Sequence, residues 1–258
     1  MRIVIKVGTS TLAHATGMMN IRRVEELCKV LSDIKNAGHE VILVSSGAIG
    51  MGLGKLSLKE RPRDIPTKQA AAAVGQSELM YVYDRLFEQY NHVVAQVLLT
   101  GYDVEDAKHL GNFRNTLFRL LELGALPIIN ENDTVAIDEI VIGDNDTLSA
   151  IVAVTAKADL LVLLSDIDGL YTCDPHEYPD AQLIPVVGQL TEEVYGLAGN
   201  HSGDLGTGGM ATKLKAAGIV MEKGIDMVIA NGERPGILYD ILSGMPVGTR
   251  FVGKKDGR

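Results

Sequence analysis

Short apolar runs alternate with amphipathic stretches along this chain, and the alternation lays out most of a fold. Arg2 to Val7 sets Ile3, Ile5 and Val7 against Val4 and Lys6, which predicts a strand that breaks at Gly8-Thr9-Ser10. Asn20 then offers a cap to a helix with Ile21, Val24, Leu27, Cys28, Leu31 and Ile34 at helical spacing, and Gly38 sits where a left-handed terminus is wanted. A second strand, Val41 to Ser45, runs into the glycine-rich Ser46-Gly47-Ala48-Ile49-Gly50-Met51-Gly52. A long helical pattern follows from Thr67 to Tyr90 despite Gly75.

The same rhythm continues with a strand at Val93 to Leu99, a helix at Asn112 to Leu123 and a strand at Leu126 to Ile129. Asp144-Asn145-Asp146 then caps a helical pattern through Leu148, Ile151, Val152 and Thr155, and Asp159 to Leu164 is the most apolar strand. Apolar strands joined by helices imply a mainly parallel sheet covered on both faces, a three-layer α/β/α sandwich. From Asp166 to Gly209 the pattern loosens into turn chemistry at Asp168-Gly169, Asp174-Pro175 and Tyr178-Pro179, which predicts irregular or hairpin structure over a site. Regularity returns with a helix from Met210 to Lys223, a strand from Met227 to Ala230, a helix from Ile237 to Leu242 and a strand around Thr249-Arg250-Phe251. No linker, repeat or low-complexity tract interrupts this order.

Composition narrows the function classes. With 258 residues, 46% hydrophobic and 22% charged, the chain can bury a sizeable core in one large domain or two closely joined lobes. The net charge of -9 argues against a nucleic-acid surface, so an anionic ligand must meet locally placed positive groups. Cys28 in a helical pattern and Cys173 in a loop lack metal-ligand spacing and fit a reducing compartment. No apolar run approaches membrane-spanning length and no signal-peptide core is present, so the expectation is a cytoplasmic protein without a membrane partner.

Candidate chemistry concentrates where strands end. Between an apolar strand and an apolar helix, Asn130 to Asp146 crowds amides and carboxylates into a segment suited to a cation, whether a metal ion or an amino group. Turn and capping roles would explain either cluster alone, whereas two clusters flanking one segment point to a site. Gly206-Thr207-Gly208-Gly209-Met210-Ala211-Thr212-Lys213 opens a helix whose amides and positive end suit phosphate oxygens. It fits a dinucleotide spacing only loosely, with no strand immediately before it and no lysine at the Walker position. Lys6 and Lys213 together would supply two positive charges for a transferring phosphoryl group, although an edge-strand lysine is the plainer reading of Lys6 alone. Ser46-Gly47 offers a hydroxyl and amides, and Ser165-Asp166 ends the strongest strand, but each is also ordinary turn chemistry. His109, His176 and His201 lie in polar loops without partners at ligand or triad spacing and read as surface histidines.

These residues resemble the glutamate 5-kinases of the amino acid kinase family. The resemblance rests on Lys6-Val7-Gly8-Thr9-Ser10, Ser45-Ser46-Gly47-Ala48-Ile49, Lys68-Gln69 with Ala73-Val74-Gly75-Gln76, Ile129-Asn130-Glu131-Asn132-Asp133, Gly143-Asp144-Asn145-Asp146 and Gly206 to Lys213. Six ordered motifs spread over essentially the whole chain are far more specific than any one. The resemblance implies ATP-dependent phosphorylation of the L-glutamate γ-carboxylate, the start of proline biosynthesis, with ATP and Mg2+ required. It implies that Lys6, Ser165, Asp166, Thr207, Gly208, Gly209, Met210, Ala211, Thr212 and Lys213 bind ATP, and that Ser46, Asp133 and Asn145 surround glutamate. Asp146 would organise the catalytic lysines and Mg2+, and no protein ligand to the metal is assigned.

The resemblance further implies a homo-oligomer, a dimer or tetramer, and hand-off of the labile product to glutamate-5-semialdehyde dehydrogenase. Many family members continue into a C-terminal PUA domain. This chain stops at Arg258 just after its last predicted strand, so the expectation is a single kinase domain. Within it a glutamate lobe would cover about 1–158 and an ATP lobe about 159–258. Three competing readings are a kinase for acetylglutamate, carbamate or UMP, a non-catalytic sensor, and a nicotinamide-dependent dehydrogenase. Asp133 argues against an amine-blocked substrate, and the presence of both lysines and Asp146 argues against a mere sensor.

Overall fold

A computed structural model describes residues 1–14, 16, 18–58, 62–135, 144–175, 177–198 and 209–254. The first strand, β1 (Arg2–Val7), leads through the single turn α1 (Thr9–Leu12) to α2 (Ile21–Asn36), and β2 (Glu40–Ser45) follows. Two helices packed side by side, α3 (Ala48–Lys55) and α4 (Ile65–Glu88), precede β3 (Val94–Leu99). The chain continues through α5 (Gly101–Glu105), α6 (Ala107–Glu122), β4 (Leu126–Glu131), α7 (Asn145–Ala156) and β5 (Leu160–Ser165). Its last part holds β6 (Val186–Val187), α8 (Glu192–Gly196), α9 (Met210–Met221), β7 (Asp226–Asn231), α10 (Ile237–Leu242) and β8 (Thr249–Phe251).

The eight strands form one sheet in the order β3-β4-β2-β1-β5-β7-β8-β6. All neighbours run parallel except β7 and β8, which are antiparallel. Strand β1 sits in the middle, with Lys6 opposite Val44 on one side and Leu163 on the other. Because side chains alternate across a strand, β1 feeds two separate cores. Ile3, Ile5 and Val7 pack with Leu43, Val162 and the apolar faces of α2 and α4, whereas Val4 packs with Val44, Leu163 and residues of α6, α7 and α9. Burying each such leucine, isoleucine or valine contributes roughly 1.5 to 3 kcal/mol. Lys6 shares the parity of Val4, so the sheet alone directs it toward α7 and α9.

Helix starts are fixed by short polar side chains. Asn20 accepts from the Arg23 amide, Asp64 from Thr67 and Asp144 from Thr147. Helix α6 begins several residues before the expected Asn112, because Asp106 accepts from the amides of both Lys108 and His109. His109 is therefore helical rather than in a loop, and it has a partner: its Nδ1 lies 2.8 Å from Asp103 Oδ1, with its ring edge-on to Tyr102. His176 and His201 fall outside the described residues.

The glycine-rich segment after β2 is helical, contrary to its loop-like composition. A Cβ on Gly52 would collide with the Ala71 carbonyl, and one on Gly75 would collide with the Ala48 carbonyl and the Gly52 amide. Glycine is thus required there for backbone-to-backbone contact between α3 and α4, which outweighs its poor helix propensity. Within the loosely patterned stretch after β5, the two-residue β6 pairs with β8, and Thr191 caps the short α8.

Candidate active site

The chain first adds strands on the β2 side of β1 and later, from β5 on, on the opposite side. In parallel sheets the crevice beyond the carboxyl ends at such a reversal is where ligands bind. Lys6, Ser46, Asn130 and Ser165 all stand at those ends. Helix α7 enters the same crevice at its N-terminus. Asp144 accepts from the Thr147 amide at 2.7 Å and the Thr147 hydroxyl at 2.9 Å, which fixes the first turn carrying Asn145 and Asp146.

Asp146 anchors the ionic half of the site. Its Oδ1 lies 2.7 Å from Lys6 Nζ, and its Oδ2 lies 3.1 Å from Lys213 Nζ. Thr212 Oγ1 is 2.8 Å from the same Oδ2 and 2.8 Å from the Gly209 carbonyl, so its single proton serves one acceptor at a time. All three charged side chains are buried, with Asp146 1%, Lys213 5% and Lys6 8% exposed. Burial alone would raise the Asp146 carboxyl, but Lys6, Lys213 and the Thr212 hydroxyl outweigh it and hold the group down to about 2. Two ammonium groups thus stay at set positions around one permanent anion. Lys213 and Thr212 lie in the first turn of α9, which Gly209 opens without a side-chain cap. The amides of that turn have no intrahelical acceptor and are suited to phosphate oxygens.

Neutral amides make up the other half. Asn145 Nδ2 donates to Ser46 Oγ at 2.7 Å and to Asn130 Oδ1 at 3.0 Å. Asn130 Nδ2 donates in turn to Gln76 Oε1 at 2.9 Å, and Asn130 Oδ1 also accepts from the Glu131 amide at 2.9 Å. Asn145 Oδ1 is buried with no hydrogen-bond partner among the described residues. Ser46 follows β2 directly, and Gly47 after it takes a φ of 102°, a conformation that favours glycine and lets α3 begin at once.

Carboxyl groups crowd the rim beside these amides. Burial pushes Asp133 up to about 6. Glu131 rises to about 7, first from burial and then from its neighbours Asp133 and Asp144, and burial likewise raises Asp144. Acids held this far from their ordinary range gain from a positive partner.

The sequence-predicted residues therefore divide. Lys6, Asp146, Thr212 and Lys213 meet in one cluster, and Ser46 and Asn145 meet in the next. Asp133 lies in the turn after β4, on the strand end that carries Asn130. Ser165 and Asp166 end β5, with the Ser165 hydroxyl donating to the Asp166 carboxylate at 3.1 Å. Gly209, Met210 and Ala211 open α9. Thr207 and Gly208 fall outside the described residues. From the sequence, Asn130 and Glu131 had only a shared place in the segment suited to a cation, and Gln76 only a place in a motif; an amide at a strand end was the available signal for Asn130.

Mg2+ does not fit Asp146. Both of its oxygens already face ammonium groups, and two adjacent cations repel a third. No group of three His, Cys, Asp or Glu suited to a metal occurs among the described residues. Nor, among them, is any helix long and apolar enough to cross a membrane.

Two ammonium groups at fixed spacing beside an open helix N-terminus match what a transferring phosphoryl group requires, namely positioning and charge stabilisation. The chain belongs to the amino acid kinase family, whose model matches residues 1–231. It is 53% identical over 258 residues to the glutamate 5-kinase of Clostridium perfringens, covering 98% of this chain and 96% of the relative. To the glutamate 5-kinase of Clostridium acetobutylicum it is 53% identical over 253 residues, covering 98% and 95%. A solved structure of carbamate kinase from Giardia lamblia bound to AMP-PNP superimposes with a TM-score of 0.71 at 18% identity, covering 98% of each chain. That likeness shows the fold alone.

Proposed function

We infer that the protein transfers the γ-phosphoryl group of ATP to the γ-carboxylate of L-glutamate, giving L-glutamyl 5-phosphate for proline biosynthesis. The observation that carries this reading is the adjacency of two networks on one helical turn. Asp146 gathers Lys6 and Lys213, and Asn145 gathers Ser46 and Asn130. A phosphoryl donor and a small polar acceptor can meet across that turn.

The acceptor carboxylate is already ionised at neutral pH, so no strong general base is needed. The obstacle is the approach of one anion to another. Lys6 and Lys213 lower it by facing the transferred group, and the α9 amides receive phosphate oxygens. Ser165, Asp166 and residues 207 to 213 form the nucleotide side. On the substrate side, the raised Asp133 carboxyl faces the ammonium group, Ser46 donates to a carboxylate oxygen and Asn145 accepts. Substrate contacts arise before about residue 158 and most nucleotide contacts after it, which supports two lobes meeting at Lys6 and Asp146. Mg2+ would arrive on the phosphates of ATP, and no step here depends on a protein ligand to it. A cytoplasmic homo-oligomer that passes its acyl phosphate to glutamate-5-semialdehyde dehydrogenase fits this chemistry, since an acyl phosphate hydrolyses readily.

The test is an ATP-dependent assay in which hydroxylamine traps the acyl phosphate, run with glutamate, acetylglutamate, aspartate and carbamate. Hydroxamate is expected with glutamate above all others. Its absence with glutamate would overturn the assignment.

A further inference from the structure

The polarity of the amide network is set by a backbone group. An Asn or Gln side chain presents oxygen at one end and nitrogen at the other, and a network of them could run either way. Here one link has only one sense. The Glu131 backbone N–H is a donor and nothing else, and it points at the Asn130 side chain from 2.9 Å. That end of Asn130 must therefore be its oxygen.

Every other direction follows. With Oδ1 toward Glu131, Asn130 turns its Nδ2 to Gln76, which must answer with Oε1 at 2.9 Å. Asn145 meets the same Asn130 oxygen and so must offer Nδ2, whose second proton goes to Ser46 Oγ. Both protons of the Asn145 amide are then spent, and its oxygen is left buried and unpartnered among the described residues. Ser46, having accepted, keeps its own proton to give. The relay thus ends in one fixed acceptor, Asn145 Oδ1, and one available donor, the Ser46 hydroxyl. Those suit the ammonium and the carboxylate of an amino acid respectively.

Gln76 is the far end of this relay. It is 7% exposed and sits on α4, immediately after the Gly75 that presses against α3. We propose that Gln76 is a positioning residue for substrate selection: by accepting from the Nδ2 of Asn130 it stabilises the one sense that the Glu131 amide dictates, the sense that presents Asn145 Oδ1 to a free amino group. Without that acceptor the buried Asn130 N–H2 has lost its partner and competes against the Glu131 amide for the orientation of the group, and any turned Asn130 offers Asn145 nitrogen where it needs oxygen. The proposal rests on glutamate being the acceptor substrate.

The experiment compares the wild type with Gln76→Met, which keeps the length but removes the acceptor, and Gln76→Glu, which keeps the acceptor. The readouts are kcat, KM for glutamate, KM for ATP, and Ki for glutarate, a dicarboxylate without an amine. In Gln76→Met, KM for glutamate is expected to rise roughly tenfold, the scale of one lost hydrogen bond to a charged group. KM for ATP and Ki for glutarate should hold, and Gln76→Glu should stay near the wild type. If Gln76→Met does not fold by thermal melting, Gln76→Asn, which withdraws the amide by one methylene, carries the same expectation. Parallel losses for glutamate, glutarate and ATP would mark Gln76 as merely structural, and an unchanged KM for glutamate, or equal damage from Met and Glu, would also overturn the relay. Wild-type protein that makes no glutamyl hydroxamate would remove the substrate assignment and the relay with it.

Discussion

Asn145 and Asp146 are consecutive residues on one helical turn, yet they organise opposite kinds of matter. Asp146 holds two cations in a buried ionic cluster whose attraction works from any angle. Asn145 holds neutral dipoles whose value depends on which atom faces which. Holding phosphoryl oxygens calls for charge at the right distance, and Asp146 supplies this by keeping Lys6 and Lys213 together in a space where neither could stay alone. Telling an amino acid from other acids calls for direction, which charge does not give. The turn is divided accordingly, with strength on one side and sense on the other.

The largest break in this division should come from Asp146→Asn. Removing the anion takes from two buried ammonium groups the carboxylate they share, and the cost expected is about 3 to 5 kcal/mol of stability, read as a large fall in the denaturant midpoint. An unchanged midpoint would mean that the cluster is no buried ion pair. Lys213→Ala should leave a folded protein whose turnover is lower by about a hundredfold, near 3 kcal/mol of barrier. Near-normal turnover would remove Lys213 from the chemistry. Gly75→Ala forces a methyl group into the Ala48 carbonyl and should cost on the order of 1 to 3 kcal/mol, measured by melting, with a raised KM for glutamate as α4 shifts.

The smallest effects are those of pH. Asp133 rises to about 6 when folded, so its carboxylate becomes protonated as pH falls through that value, and KM for glutamate should climb below pH 6. Asp133→Asn should raise KM at neutral pH and flatten that climb. For stability the sign reverses between the two sides. The raised Asp133 and Glu131 contribute stability that is complete below their unfolded values and is lost as pH rises through about 6 and 7. The depressed Asp146 contributes stability that is present above its unfolded value near 3.8 and is lost as pH falls toward 2. Free protein should therefore melt highest on the acid side of neutrality, and glutamate should raise the melting temperature more at pH 7.5 than at pH 5.

Lys6 shows how much the sequence could reveal. Its place in an apolar strand marked it, and the two-residue period of that strand assigned it to the face of Val4, which proves to be the face of α7 and α9. Caps were similarly legible at Asn20 and Asp144, because a short polar side chain before an apolar repeat has a local job. Helix α3 was not legible, since three glycines in eight residues weaken a helical pattern and their reason is visible only once α4 is laid against them. The link from Gln76 to Asn130 was hidden for a related reason. It joins residues 54 positions apart, and a helical period does not say which turn of a 24-residue helix meets which strand end. His109 is the surface histidine the sequence suggested, on a helix rather than in a loop, and its contact with Asp103 was hidden because Asp103 belongs to a capping box rather than to any ligand or triad spacing.

The glycine contact between α3 and α4 has a mechanical side as well. With no side chains between them at Gly52 and Gly75, the two helices have no compressible layer to absorb a shift, and they travel as one plate. Ser46 leads into one edge of that plate through Gly47, and Gln76 rides on it next to Gly75. A displacement of either helix would therefore displace the other, and with it both Ser46 and Gln76, the two ends of the amide relay.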